Sequence, residues 1–93
     1  MFKENEDSMP NKELKRPLIL IVEDDKIQQK IIRDLIEKCG YHTITANDGL
    51  QGLKLAKECL PDVVFSDALM PHMDGRALCY HLKNDPVTSH IKV

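Results

Sequence analysis

The chain has 93 residues, of which 42% are hydrophobic and 30% charged, an ordinary globular balance with room for one domain rather than several. A formal net charge of −2 supplies no field to recruit nucleic acid or an anionic membrane, and no apolar run approaches a signal-peptide core or a spanning helix, so the expected compartment is the cytoplasm. Cys39, Cys59 and Cys79 form no C-x-x-C pair and are odd in number, which argues against a disulfide framework; each stands near a helix end and is expected to be a buried free thiol.

Residues 1 to 16 lack apolar periodicity and are rich in Lys, Glu and Asn, so they are expected to form a mobile leader ending at Pro17, with the domain over residues 17 to 93. "LILIV" (Leu18 to Val22) is a continuous, β-branched apolar run, the pattern of a parallel strand covered on both faces. "EDD" follows at once. From Lys26 to Cys39, the residues Ile27, Ile31, Ile32, Leu35, Ile36 and Cys39 fall at helical spacings, and Gly40 stands where a helix stops. "YHTITA" (Tyr41 to Ala46) reads as a second strand. "NDG" opens a second helix that carries Leu50, Leu53, Ala56 and Leu60 before Pro61 ends it. "DVVFS" (Asp62 to Ser66) gives a third strand, "DALMPHMDG" a loop and "RALCYHLKN" a third helix closing before Asp85-Pro86; the final "IKV" begins a fourth strand.

Strands alternating with helices predict a parallel sheet built from right-handed crossovers. Ligands of such sheets bind beyond the carboxyl ends of the strands. Glu23 and Asp24 leave the first strand there, and Asp67 leaves the third. If those strands are neighbours, their backbones lie ~4.8 Å apart and the carboxylates converge on one small volume. Like charges so close repel, and a hard divalent cation relieves the conflict; oxygen ligands with room for water suit Mg²⁺ better than a soft metal.

"LILIVEDD", "NDG", "DVVFSDALMPHMDG" and "LKNDP", in this order, resemble the receiver domain of two-component response regulators. The resemblance runs from Leu18 to Val93. It implies a flavodoxin-like, doubly wound parallel sheet whose C-terminal strand-helix units are missing. It further implies that Asp67 accepts a phosphoryl group from a sensor histidine kinase or a histidine phosphotransfer protein, and that Mg²⁺ is bound by Glu23, Asp24, Asp67 and the Leu69 backbone carbonyl. Direct metal contact is expected of Asp24, with Glu23 acting through water. Such a domain is a phosphoacceptor in signal transduction rather than an enzyme, with no nucleic-acid or membrane contact from this segment. The family also places a Ser or Thr after its fourth strand and a Lys after its fifth; neither occurs here, since Lys92 precedes the end of the fourth strand. The expectation is therefore a fragment of a longer protein, lacking the switch and prone to self-association through an open sheet edge.

Plainer roles are expected for other residues. Asp25 reads as a helix N-cap with Gln28 at capping-box spacing, and Asp48-Gly49 and Asp74-Gly75 as helix starts. His42, His72, His81 and His90 share no metal-binding spacing, and Met70 and Met73 provide apolar cover. A hydrolase of the aspartyl-phosphate type needs D-x-D after its first strand, and Glu23-Asp24-Asp25 does not supply it. The remaining alternative is a receiver-like interaction module no longer switched by phosphorylation.

Overall fold

The structure, a computed structural model, describes residues 17–66, 73 and 75–93; the expected leader and most of the loop after Ser66 lie outside them. Among the described residues three strands, β1 (Leu18–Val22), β2 (His42–Ala46) and β3 (Val63–Ser66), alternate with three helices, α1 (Lys26–Lys38), α2 (Gly49–Cys59) and α3 (Gly75–Lys83). All strand pairs are parallel and the order is β2-β1-β3, so β1 and β3 are neighbours as the site argument requires.

Residues of one parity along each strand share a face. Leu20 and Val22 of β1, Ala46 of β2 and Val64 of β3 pack with Ala56, Leu78, Leu82 and Ile91 in the main core, with Ile44, Leu53, Leu55 and Met73 at its margin. Ile21 points the other way and is also fully buried, so β1 is covered on both faces as its unbroken apolar run predicts. Past α3, the Thr88 hydroxyl donates to the Leu82 carbonyl at 2.8 Å and Lys83 Nζ reaches the carbonyl of Ile91 at 2.5 Å. These bonds bring the last residues to β3. Val64 N donates to the Lys92 carbonyl at 2.7 Å, and Val63 and Lys92 form a parallel bridge where the start of a fourth strand is expected.

Local chemistry sets the element ends. The Asp25 side chain accepts from Ile27 N at 2.9 Å and Gln28 N at 3.2 Å, capping α1 as expected. The Asp25 N–H, which a capping box would give to Gln28, donates to Glu23 Oε2 at 3.2 Å instead. Asp48 caps α2 by accepting from Gln51 N at 2.8 Å. Gly40 follows α1 at φ 95°, a conformation that favours glycine, whereas α2 ends on Leu60 at φ 48°, left-handed despite its side chain and followed by buried Pro61. Gly75 opens α3; Asp74 is outside the described residues.

Four expectations need correction. Ile27, Ile31 and Leu35 are exposed, by 72%, 48% and 60%, because spacings of four align them in a row turned from the sheet, while Ile32 and Ile36 face it. Cys39 and Cys59 are exposed, since a residue at a helix end projects past the sheet the helix covers, and Cys79, inside α3, is half-buried. Asp62 is not part of β3: its carboxylate accepts from Leu18 N at 2.8 Å and clamps the entry of β1. Tyr41 likewise precedes β2, whose ladder opens with His42 beside Leu18.

Candidate functional site

Strand order reverses at β1, the position where parallel α/β sheets carry their ligands. Val22 pairs with Ser66 on one side and Ala46 on the other, so the three carboxyl ends are level. The next residue after Val22 is Glu23 and the next after Ser66 is Asp67. Asp67 and Leu69 lie outside the described residues, so the site is described through the β1 and β2 ends.

Glu23 is buried, at 7% exposure, and Asp24 is exposed. A carboxylate so enclosed needs donors. One is the Asp25 N–H on Oε2. The Glu23 backbone is held on both sides: its N–H donates to the Ala46 carbonyl at 3.0 Å, and its carbonyl accepts from Gln29 Nε2 at 3.0 Å. Gln29 is 8% exposed, and its Nε2 also lies 3.1 Å from the Ala46 carbonyl and 3.1 Å from Asn47 Oδ1. A carbonyl has two lone pairs, and Gln29 adds a donor to the Glu23 carbonyl and a second donor to the Ala46 carbonyl where the parallel ladder ends.

The network continues into α2. Lys26 Nζ donates to Asn47 Oδ1 at 2.7 Å, and Asn47 N donates to Gln51 Oε1 at 2.6 Å. The loops after β1 and β2 are thereby joined by side chains from the first turns of both helices. Gly49, at the head of α2, lets Met73 approach: a Cβ there would lie 2.7 Å from Met73 Cβ. Sequence reading missed Gln29. Its signal was present, since Gln29 shares the inward row of α1 with Ile32 and Ile36 at spacings of three and four, where a polar residue is out of place.

Adjacent carboxylates of Glu23 and Asp24 at a strand end are hard oxygen donors and fit a hard divalent cation. Among the described residues no group of three or more His, Cys, Asp or Glu side chains gathers; Asp67, the third expected carboxylate, lies outside them. His42, His81 and His90 are all exposed and do not approach the acidic pair, while His72 is outside the described residues. A groove of about 540 Å³ lined by Pro17, Ile19, Tyr41, Asp62, Val63 and His90 lies at the amino ends of the strands, away from this site.

The model of the response regulator receiver domain matches residues 19–93. The chain belongs to this family. It is 41% identical over 75 residues to the polar-differentiation response regulator DivK of Brucella anthropi, an alignment covering 81% of this chain and 61% of that protein. It thus spans about three fifths of the length of the curated relatives it matches. Among solved structures, the receiver domain of a signal transduction histidine kinase from Syntrophus aciditrophicus superposes with a TM-score of 0.75 at 38% identity, covering 78% of this chain and 55% of that one. A response regulator from Chloroflexus aurantiacus gives a TM-score of 0.78 at 31% identity, covering 81% and 62%. The three-stranded parallel sheet and its helices therefore share the flavodoxin-like receiver architecture, and the acidic pair stands at the carboxyl end of β1. No helix of the described residues is long and apolar enough to cross a membrane.

Proposed function

We propose that this receiver domain is a phosphoacceptor working in the cytoplasm: Asp67 takes a phosphoryl group from a phosphohistidine of a sensor kinase or phosphotransfer protein. The observation that carries the reading is the level pairing of Val22 with Ser66, with Glu23-Asp24 following one strand in sequence and Asp67 the other. Glu23, Asp24, Asp67 and the Leu69 carbonyl would hold Mg²⁺, Asp24 by direct contact and Glu23 through water. Bound there, Mg²⁺ supplies positive charge against the carboxylates and the phosphoryl oxygens.

The reaction divides among the chain's own residues. A carboxylate oxygen of Asp67 attacks phosphorus, the phosphorus–nitrogen bond breaks, its electron pair returns to the imidazole and an acyl phosphate remains. Asp24, exposed just past β1, would contribute a hard ligand, and β1 is hydrogen-bonded alongside β3, the strand that precedes Asp67 in sequence. The domain acts as substrate of its partner and is not an enzyme in its own right. Labelling with acetyl phosphate and mass spectrometry tests this. Label is expected on Asp67, labile to base and hydroxylamine and absent from Asp67→Asn, whose amide is nearly isosteric but a poor nucleophile. Acid-labile, base-stable label on a histidine would sink the assignment, and no label at all would favour an interaction module without phosphoacceptance.

A further inference from the structure

We infer that Gln29 is a positioning residue for the acidic pair: from the first turns of α1 it fixes the backbone of Glu23 against β2 and thereby sets the affinity for a divalent cation. The inference rests on the proposed metal role of Glu23 and Asp24. Parallel pairing of β1 with β2 ends at Val22–Ala46, and the Glu23 N–H makes the next bond to the Ala46 carbonyl. Beyond it the chain turns toward α1. At this turn Gln29 Nε2 reaches the carbonyls of Glu23 at 3.0 Å and Ala46 at 3.1 Å. Both polar backbone groups of Glu23 are thus tied to the end of β2, one directly and one through this side chain. The direction in which the chain presents Asp24 follows from that peptide's orientation.

Two hydrogens on one nitrogen face three acceptors, the third being Asn47 Oδ1 at 3.1 Å, which also accepts from Lys26 Nζ. Gln29 consequently couples the loop after β1 to the loop after β2 and, through Asn47 and Gln51, to the first turn of α2. Burial at 8% exposure keeps water from replacing it. Groups that orient ligands without touching the ion commonly change metal affinity by about ten- to a hundredfold when removed.

The test compares Gln29→Met, which keeps length and loses the donors, with Thr88→Val, which removes a buried hydroxyl bond to Leu82 far from the acidic pair. Mg²⁺ is titrated into the intact protein while amide shifts of Glu23 and Asp24 are followed, and amide exchange at Glu23 is measured without metal. Expected are about tenfold weaker Mg²⁺ binding and faster Glu23 exchange in Gln29→Met, with affinity unchanged in Thr88→Val. Should Gln29→Met not fold, Gln29→Asn, one methylene too short to hold both carbonyls, is measured identically. Unchanged affinity in the Gln29 variant overturns the positioning role and leaves the metal reading standing. Equal weakening by Thr88→Val also overturns it, since general loosening would then explain both. A wild-type protein whose Glu23 and Asp24 amides do not respond to Mg²⁺ overturns the metal reading and this inference together.

Discussion

Gly52→Ala sets two effects of opposite sign against each other at the point where α2 meets β1. Alanine in a helix interior is favoured over glycine by about 0.8–1 kcal/mol, so an exposed site would gain stability. Gly52 is buried, however, and a Cβ there would lie 2.8 Å from Val22 Cγ2, 3.2 Å from Val22 Cγ1 and 3.6 Å from Leu78 Cδ2. Carbon atoms prefer ~3.5–4.0 Å, and overpacking typically costs about 1–3 kcal/mol. Rotation of Val22 brings no relief, because its β-branched side chain exchanges one crowding methyl for the other and is fully buried. The steric term should win, leaving a net loss of about 1–2 kcal/mol. Urea denaturation followed by circular dichroism should show a lower midpoint with an unchanged slope. Val22→Ala in the same background should recover part of the loss, a non-additivity expected of touching side chains. Because Val22 immediately precedes Glu23, Mg²⁺ affinity should fall in the single variant as well. Neutral or raised stability would refute the close approach of α2 to β1.

Asp24→Asn removes a charged hard ligand at the end of β1 and should weaken Mg²⁺ binding; equal affinity in an amide-shift titration would place the metal elsewhere. Asp25→Ala deletes the cap that accepts from Ile27 N and Gln28 N, and should cost about 1 kcal/mol in chemical denaturation. On the outer face of α1, the Lys30 hydrogen bond to Asp34, at 2.9 Å, holds that carboxyl below its ordinary range, with further help from the charges of Lys30 and Arg33. A carboxylate depressed in the folded state adds stability that is present above its unfolded pKa and lost as pH falls through the folded one. Carbon-detected titration should therefore show Asp34 rising toward the ordinary value in Lys30→Met and in high salt, where an exposed pair is screened.

Much of this architecture is local in origin and was legible in the residues. The run Leu18 to Val22 has no polar face and must be covered twice; Asp25 and Asp48 have side-chain oxygens that cap helix starts, and Gly40 tolerates the left-handed turn that ends α1. Acidic residues just past two strands were likewise visible, because position relative to a strand end is a property of the chain. Tertiary structure decided what depends on neighbours. That β1 lies between β2 and β3, with Val22 level with both Ala46 and Ser66, is set by non-local pairing. The helical pattern of α1 could not say which of its isoleucines meet the sheet, since its apolar arc is wider than the surface that receives it; Ile32 and Ile36 are half-buried while Ile27 and Ile31 are exposed. Gln29 is the clearest case: its spacing marks it as inward, but only the meeting of two strand ends creates the pair of buried carbonyls that makes a polar side chain the favourable occupant.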